Sequence, residues 1–150
     1  MLRRRFEREL TRLGTRPAAE FLADPMTALA AVLLFDQLPR NLYRKGPRAY
    51  AYDPLARAIA SGALERGWDA ALTLPQRQFL AMPLMHSEHI ADQRRSLAYY
   101  ARLGPRYGWP YAVSHHHLIA RFGHFPHRNQ VLGRTSTAAE GRAVAAGFAW

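Results

Sequence analysis

An all-α fold is predicted by three features of the 150-residue sequence. Apolar residues recur at helical spacing, as Phe6, Leu10 and Leu13 do, and no useful length alternates with a period of two. Asp24-Pro25 and Asp53-Pro54 each pair an N-cap residue with a first-position proline, the signature of a helix start. Prolines and glycines then punctuate the chain often enough for a compact array of seven to eight short helices joined by proline-containing corners.

The elements follow in order. Residues 2–13 read as an amphipathic helix with arginines on its outer side, ended by Gly14. Pro17 opens a second short helix through Leu22. Residues 25–38 are apolar nearly all round, so this helix is expected at the centre of the core, with Pro39 stopping it. A loop turns at Lys45-Gly46-Pro47, and a helix over 55–60 breaks between Gly62 and Gly67. Leu74 leads into a helix through Met82 that Pro83 kinks or interrupts; the pattern resumes from Leu84 to Arg102. After the rigid connection from Gly104 to Pro110, residues 111–122 form another helix. Thr137 and Glu140 make a capping box for the last one, and Phe148 and Trp150 are expected to dock on the body.

The length suits one domain with a real core. The sequence has no cysteine, which excludes disulfides and thiolate metal sites and points to a reducing cytosol. The basic start is not followed by the apolar run of a secretory signal, and no apolar run is long enough to span a membrane. A formal charge of +10 favours acidic partners. The charge comes from 20 arginines and one lysine spread along the chain rather than gathered in one tract.

Two corners concentrate the chemistry. Residues 35–44 read F-D-Q-L-P-R-N-L-Y-R, and residues 121–134 read R-F-G-H-F-P-H-R-N-Q-V-L-G-R. Both pass from an apolar helix through a proline to Arg-Asn and end on another arginine. They are expected to meet and to place Arg40, Arg44, Arg121, Arg128 and Arg134 around one hollow walled by Phe122 and Phe125. Asp36, Glu88 and Asp92 are the acids nearest in expectation, which leaves positive charge for an anion to neutralise. Arginine forks suit carboxylates and phosphates. Asn41, Asn129 and Gln93 would orient such a ligand. Asp36, at a helix C-terminus where it opposes the macrodipole, needs a cationic partner, for which Arg128 is a candidate.

Residues 82–89, M-P-L-M-H-S-E-H, supply the titratable groups. On a continuous helix His86, His89 and Gln93 would share an inward face with Leu97. His86 or His127 is the candidate general acid or base, with Glu88 assisting. His86 and His89 are not spaced as a His-Glu-x-x-His site and lack a diagnostic third ligand, and His115, His116 and His117 point three ways on a helix, so no metal and no cofactor is expected. No phosphate loop, nucleophile elbow or dinucleotide fingerprint occurs.

The segments L-F-D-Q-L-P-R-N-L-Y-R, A-Y-D-P-L-A, M-P-L-M-H-S-E-H-I-A-D-Q and F-G-H-F-P-H-R-N-Q-V-L-G-R-T-S-T-A-A-E together resemble the bacterial domain-of-unknown-function family 924. The resemblance runs in order from about Phe6 to Glu140. It implies a single all-helical domain over residues 1–150, built of TPR-like helical hairpins, and no established activity. The chain departs from the family in lacking the usual Trp-Phe-rich opening segment. His89 also stands where an acid is common, and His124 where arginine is.

Two functional readings result. In one, the corners form a pocket for a small anionic molecule, with hydrolysis or transfer at a phosphate or carboxylate ester as the chemistry. In the other, the corners are structural and a basic TPR-like surface binds a protein tail or RNA. Neither involves a membrane.

Overall fold

The computed structural model describes residues 2–150 and contains no strand among them. Helix α1 (Leu2–Leu13) buries Leu10, while Phe6 stays exposed. A 3-10 turn at Ala18–Phe21 leads to α2 (Pro25–Val32), capped by Asp24, whose carboxylate accepts the Thr27 N–H at 2.9 Å. Helix α4 (Asp53–Glu65) packs on α2, and α5 (Leu74–Met85), α6 (Ile90–Leu103) and α7 (Trp109–Phe122) each pack on the helix before them. Helix α8 (Ala138–Ala145) closes the chain on the capping box of Thr137 and Glu140, whose N–H groups and side chains bond reciprocally. Thr73 and Gln76 form a second capping box at the start of α5. No helix is long and apolar enough to cross a membrane.

Three expectations about helix ends are corrected. Pro39 does not stop the central helix. Residues Leu33–Gln37 form a π turn, with the Leu38 N–H donating to the Leu33 carbonyl, and the rod continues as α3 (Leu38–Leu42). The extra residue widens the helix directly before the proline ring, which would otherwise clash with the carbonyl four residues back. Asp36 therefore sits inside a helix, in the π turn, and not at its end. Helix α4 runs through Gly62 because that glycine is buried beside Leu22, where a Cβ would come within 2.6 Å of a Leu22 methyl. Pro83 lies within α5, and the break begins three residues later, over residues 86–89.

The core gathers Leu10, Val32, Phe35, Ile59 and Leu80 on one side. Met85, Tyr100 and Ala112 fill the middle, and Leu118, Ile119, Phe125 and Ala143 fill the far side. Gly14 marks the tightest approach at the first end. A Cβ there would strike the Tyr52 ring and stand 2.6 Å from the Leu10 carbonyl oxygen. Gly14→Ala is thus expected to cost about 1–3 kcal/mol by overpacking, read as a lower denaturation midpoint with unchanged m-value.

Candidate functional site

The two arginine corners meet at Tyr50 and Asp53. From the first, Arg40 forks onto Asp53, with Nη1 donating to Oδ1 at 2.7 Å and Nη2 to Oδ2 at 2.9 Å. Its Nη1 also reaches the Asp36 backbone carbonyl at 2.8 Å and the Asp36 carboxylate at 3.3 Å. From the second corner, Arg128 is 6% exposed. Its guanidinium lies between the Tyr50 ring at 4.3 Å and the Phe125 ring at 4.7 Å. One Nη2 donates to the His86 carbonyl at 2.9 Å, and Nη1 stands 3.6 Å from Asp53. Arg128 is therefore not the partner of Asp36.

That partner is His86. Its Nδ1 lies 2.7 Å from Asp36 Oδ1, on a carboxylate only 1% exposed. Burial opposes the charge on Asp36, but His86, Arg40 and the Gln37 amide together hold its carboxyl below the ordinary range. Burial pushes His86 below its ordinary value; Asp36 pulls the other way, and the Arg40 charge adds to the depression. At neutral pH the pair is a carboxylate accepting from a neutral imidazole. That tautomer leaves Nε2 as a lone-pair base, to which no protein group bonds among the described residues, on a ring 16% exposed. His86 caps α5 at the head of the break, so the inward face it was expected to share with His89 and Gln93 does not exist.

Other expected site residues have structural duties. Glu88 takes both arms of the Arg134 fork at 3.0 Å each and the Phe125 N–H at 2.8 Å. Burial opposes its ionisation, but Arg134 and that N–H hold its carboxyl below the ordinary range. Arg134 Nε donates to Asn129 Oδ1, and the Asn129 amide donates to the Ser136 hydroxyl, so this trio ties the second corner to the loop beyond it. Gln93, fully buried, caps the end of α5 by donating to the Met85 and Ser87 carbonyls at 2.7 Å. Asp92 accepts from Ser87 and pairs with Arg57, away from the corners. Arg121 points outward over the Phe122 ring and lines a separate groove with His117, Arg142 and Phe148.

The charge balance changes accordingly. Arg40, Arg128 and Arg134 are matched inside by Asp36, Asp53 and Glu88, three against three. The expected interior surplus is absent because Asp53, read in the sequence only as a helix cap, turns inward as a shared counter-ion. Tyr52 occupies the cap position instead. The uncompensated charge is at the rim. A cleft of about 330 Å³ is lined by Arg40, Asn41, Arg44, Ala49, Tyr50 and Trp150. Arg44 is exposed there, with Asn41 Oδ1 at 3.4 Å and no carboxylate partner among the described residues.

Beside the cleft lies an aromatic cluster. Trp150 stacks on His115 with ring centroids 4.0 Å apart and 24° between planes, and meets Phe125, His127 and Phe148 edge-on. His115 Nδ1 donates to the Tyr111 carbonyl at 2.7 Å. Burial, with His86 and Arg128 nearby, pushes His115 down to about 3. Burial and the adjacent Arg128 push His127 down to about 4. His127 Nδ1 and Arg128 Nε are buried and have no hydrogen-bond partner among the described residues. Among the described residues no three His, Asp or Glu side chains are grouped to hold a metal ion.

Residues 1–147 match the family described as bacterial protein of unknown function, DUF924. The chain belongs to DUF924. A solved structure of a protein of unknown function from Agrobacterium tumefaciens is 36% identical, with a TM-score of 0.84 over 97% of this chain and 80% of that one. No curated protein matches. In this DUF924 chain the residues at the corners and cleft that the sequence does not mark for the candidate site are Asp53, Tyr50 and Trp150. Only the aspartate carried a signal, an acid placed between two arginine-rich corners; the aromatic partners are assembled by folding alone.

Proposed function

We propose that the cleft between the two corners binds a small phosphate- or carboxylate-bearing molecule, and that the Asp36–His86 pair beside it is the general base of a hydrolytic or transfer reaction. The observation that carries this is the geometry of His86. A buried carboxylate fixes its Nδ1 at 2.7 Å, so the ring is oriented, neutral and basic at Nε2. Asp36 also contacts Arg40, which lines the cleft, so base and ligand site share one frame. Arg44 and Asn41 supply the adjustable anion contacts, and Tyr50 supplies an apolar wall. In the reaction His86 Nε2 takes the proton of a water or hydroxyl. The oxygen so freed bonds to phosphorus or to the ester carbon, and the departing oxygen leaves with its bonding pair and takes the proton from His86. Glu88 is a staple in this reading and not a helper, and His127 is a neighbour of the ligand. A cysteine-free chain acting on small metabolite anions suits the cytosol.

Arg44→Ala is expected to remain folded and to lose most of the thermal stabilisation that inorganic phosphate gives the parent, about tenfold in affinity for one charged contact. Equal stabilisation of both proteins by phosphate counts against the cleft.

A second reading has one observation in its favour. Arg4 and Arg8 on α1 line an open surface with Glu7, Thr11 and Arg12; Glu7 pairs with Arg3 and Arg12 with Glu9, while Arg4 and Arg8 have no carboxylate partner among the described residues. A TPR-like interaction module would offer that basic face to an acidic protein tail or RNA. Its binding would weaken steeply with salt and respond to Arg4→Ala and Arg8→Ala, with Arg44→Ala silent.

A further inference from the structure

We propose that His115, Phe125 and His127 form a subsite for a planar heteroaromatic ring, filled in this structure by the indole of Trp150, and that the ligand class is therefore a nucleoside monophosphate or a ring-bearing anion of the same build. This rests on the anion reading of the adjoining cleft.

Four observations converge. The first is continuity: Trp150 lines the cleft of about 330 Å³ and at the same time lies flat on His115, so a ring placed there adjoins the cleft that Arg44 and Asn41 also line. The second is the ring's own position. Trp150 is 42% exposed, so it covers the shelf without being locked into the core, and it lies beyond the family-matched residues 1–147, whereas every residue of the shelf lies within them. The third is composition. A wall needed only for packing is better made of leucine or phenylalanine, yet it carries two histidines held neutral against their ordinary tendency. Neutral imidazoles stack and also hydrogen-bond, as the edge of a heterocycle requires. The fourth is unmet polar capacity. His127 Nδ1 and the Nε–H of the 6%-exposed Arg128 are orphaned at the edge of the shelf, one fit to bond a ring nitrogen and the other to donate to a ring carbonyl or oxyanion.

The test uses calorimetric titration of the full chain with adenosine monophosphate and with inorganic phosphate. Trp150→Ala is expected to bind adenosine monophosphate about tenfold more tightly than the parent, the size of one base stacking on an aromatic face that no longer has a competitor. Phosphate, which carries no ring to occupy the shelf, is expected to show no comparable gain. In the parent, saturating adenosine monophosphate is expected to shift tryptophan emission as the indole leaves His115, and phosphate is expected not to. This second readout does not depend on how well the variant folds. An unchanged or weaker affinity of Trp150→Ala for adenosine monophosphate, or no emission shift in the parent, overturns the subsite. If phosphate binding depends on Arg44 while the nucleotide gains nothing from Trp150→Ala, the subsite falls and the cleft stands. If the nucleotide gain appears without any binding of phosphate, the cleft reading falls and the ring shelf stands.

Discussion

Asp53→Asn is expected to cost the fold about 3–5 kcal/mol, the range for removing one partner of a buried ion pair. The substitution keeps shape and removes charge. It leaves the Arg40 fork without its acceptor pair at 2.7 and 2.9 Å. It also leaves the guanidinium of Arg128, between two aromatic rings, facing Arg40 with no intervening acid. Asp36 offers Arg40 a single contact at 3.3 Å and cannot replace the fork, since its carboxylate already answers His86 and Gln37. Urea unfolding monitored by far-UV circular dichroism measures the effect. A loss below about 1 kcal/mol would place the pair among exposed, solvent-screened ones and remove its structural role. By the same geometry Arg128→Ala is expected to destabilise through lost packing as well as lost charge, which makes Arg44, and not Arg128, the arginine for testing ligand binding.

The next largest effect is on pH. His115 and His127 titrate near 3 and 4 in the folded protein against an ordinary 6.5. The unfolded chain therefore takes up protons first as pH falls. Their contribution to stability is fully present above pH 6.5 and is lost progressively on acidification through that value towards the folded pKa values. Each contributes a slope of about 1.4 kcal/mol per pH unit while the unfolded form is protonated and the folded form is not. His86 acts in the same direction. Asp36 and Glu88, depressed from ordinary values of 3.8 and 4.5, begin to lose their contributions only at lower pH. Loss between pH 6.5 and 5 hence belongs to the histidines. The melting temperature is expected to fall across that interval, and His127→Gln to reduce the slope by about one proton's worth. A flat profile from pH 7 to 5 would contradict the buried, neutral state of the cluster.

Much of the fold could be read from the sequence because the signals were local. The α1 boundary, the Asp24 cap and the Thr137–Glu140 box depend on a few neighbouring residues and appear where expected. The misplaced ends share a cause. Pro39 and Pro83 lie inside buried rods, where packing on both sides repays a disturbed turn that local preference alone would end. The break at 86–89 carried no proline or glycine to mark it.

Local order also supplied residues that link the corners: Asp36, Arg40, His86, Arg128 and Arg134. What each one holds was decided by contacts between residues far apart in sequence. Asp36 and His86 are brought together by the packing of the π-turned rod on α5, and Asp53 becomes the common counter-ion because both corners fold over the start of α4. The sequence by itself determined an all-helical chain with two arginine corners, since helix signals and residue types act over one or two turns. Only the tertiary structure decided that the interior charges cancel, that the free charge is Arg44 at the rim, and that Trp150 lies on His115, because ion pairing and stacking depend on distances that spacing along a chain does not fix.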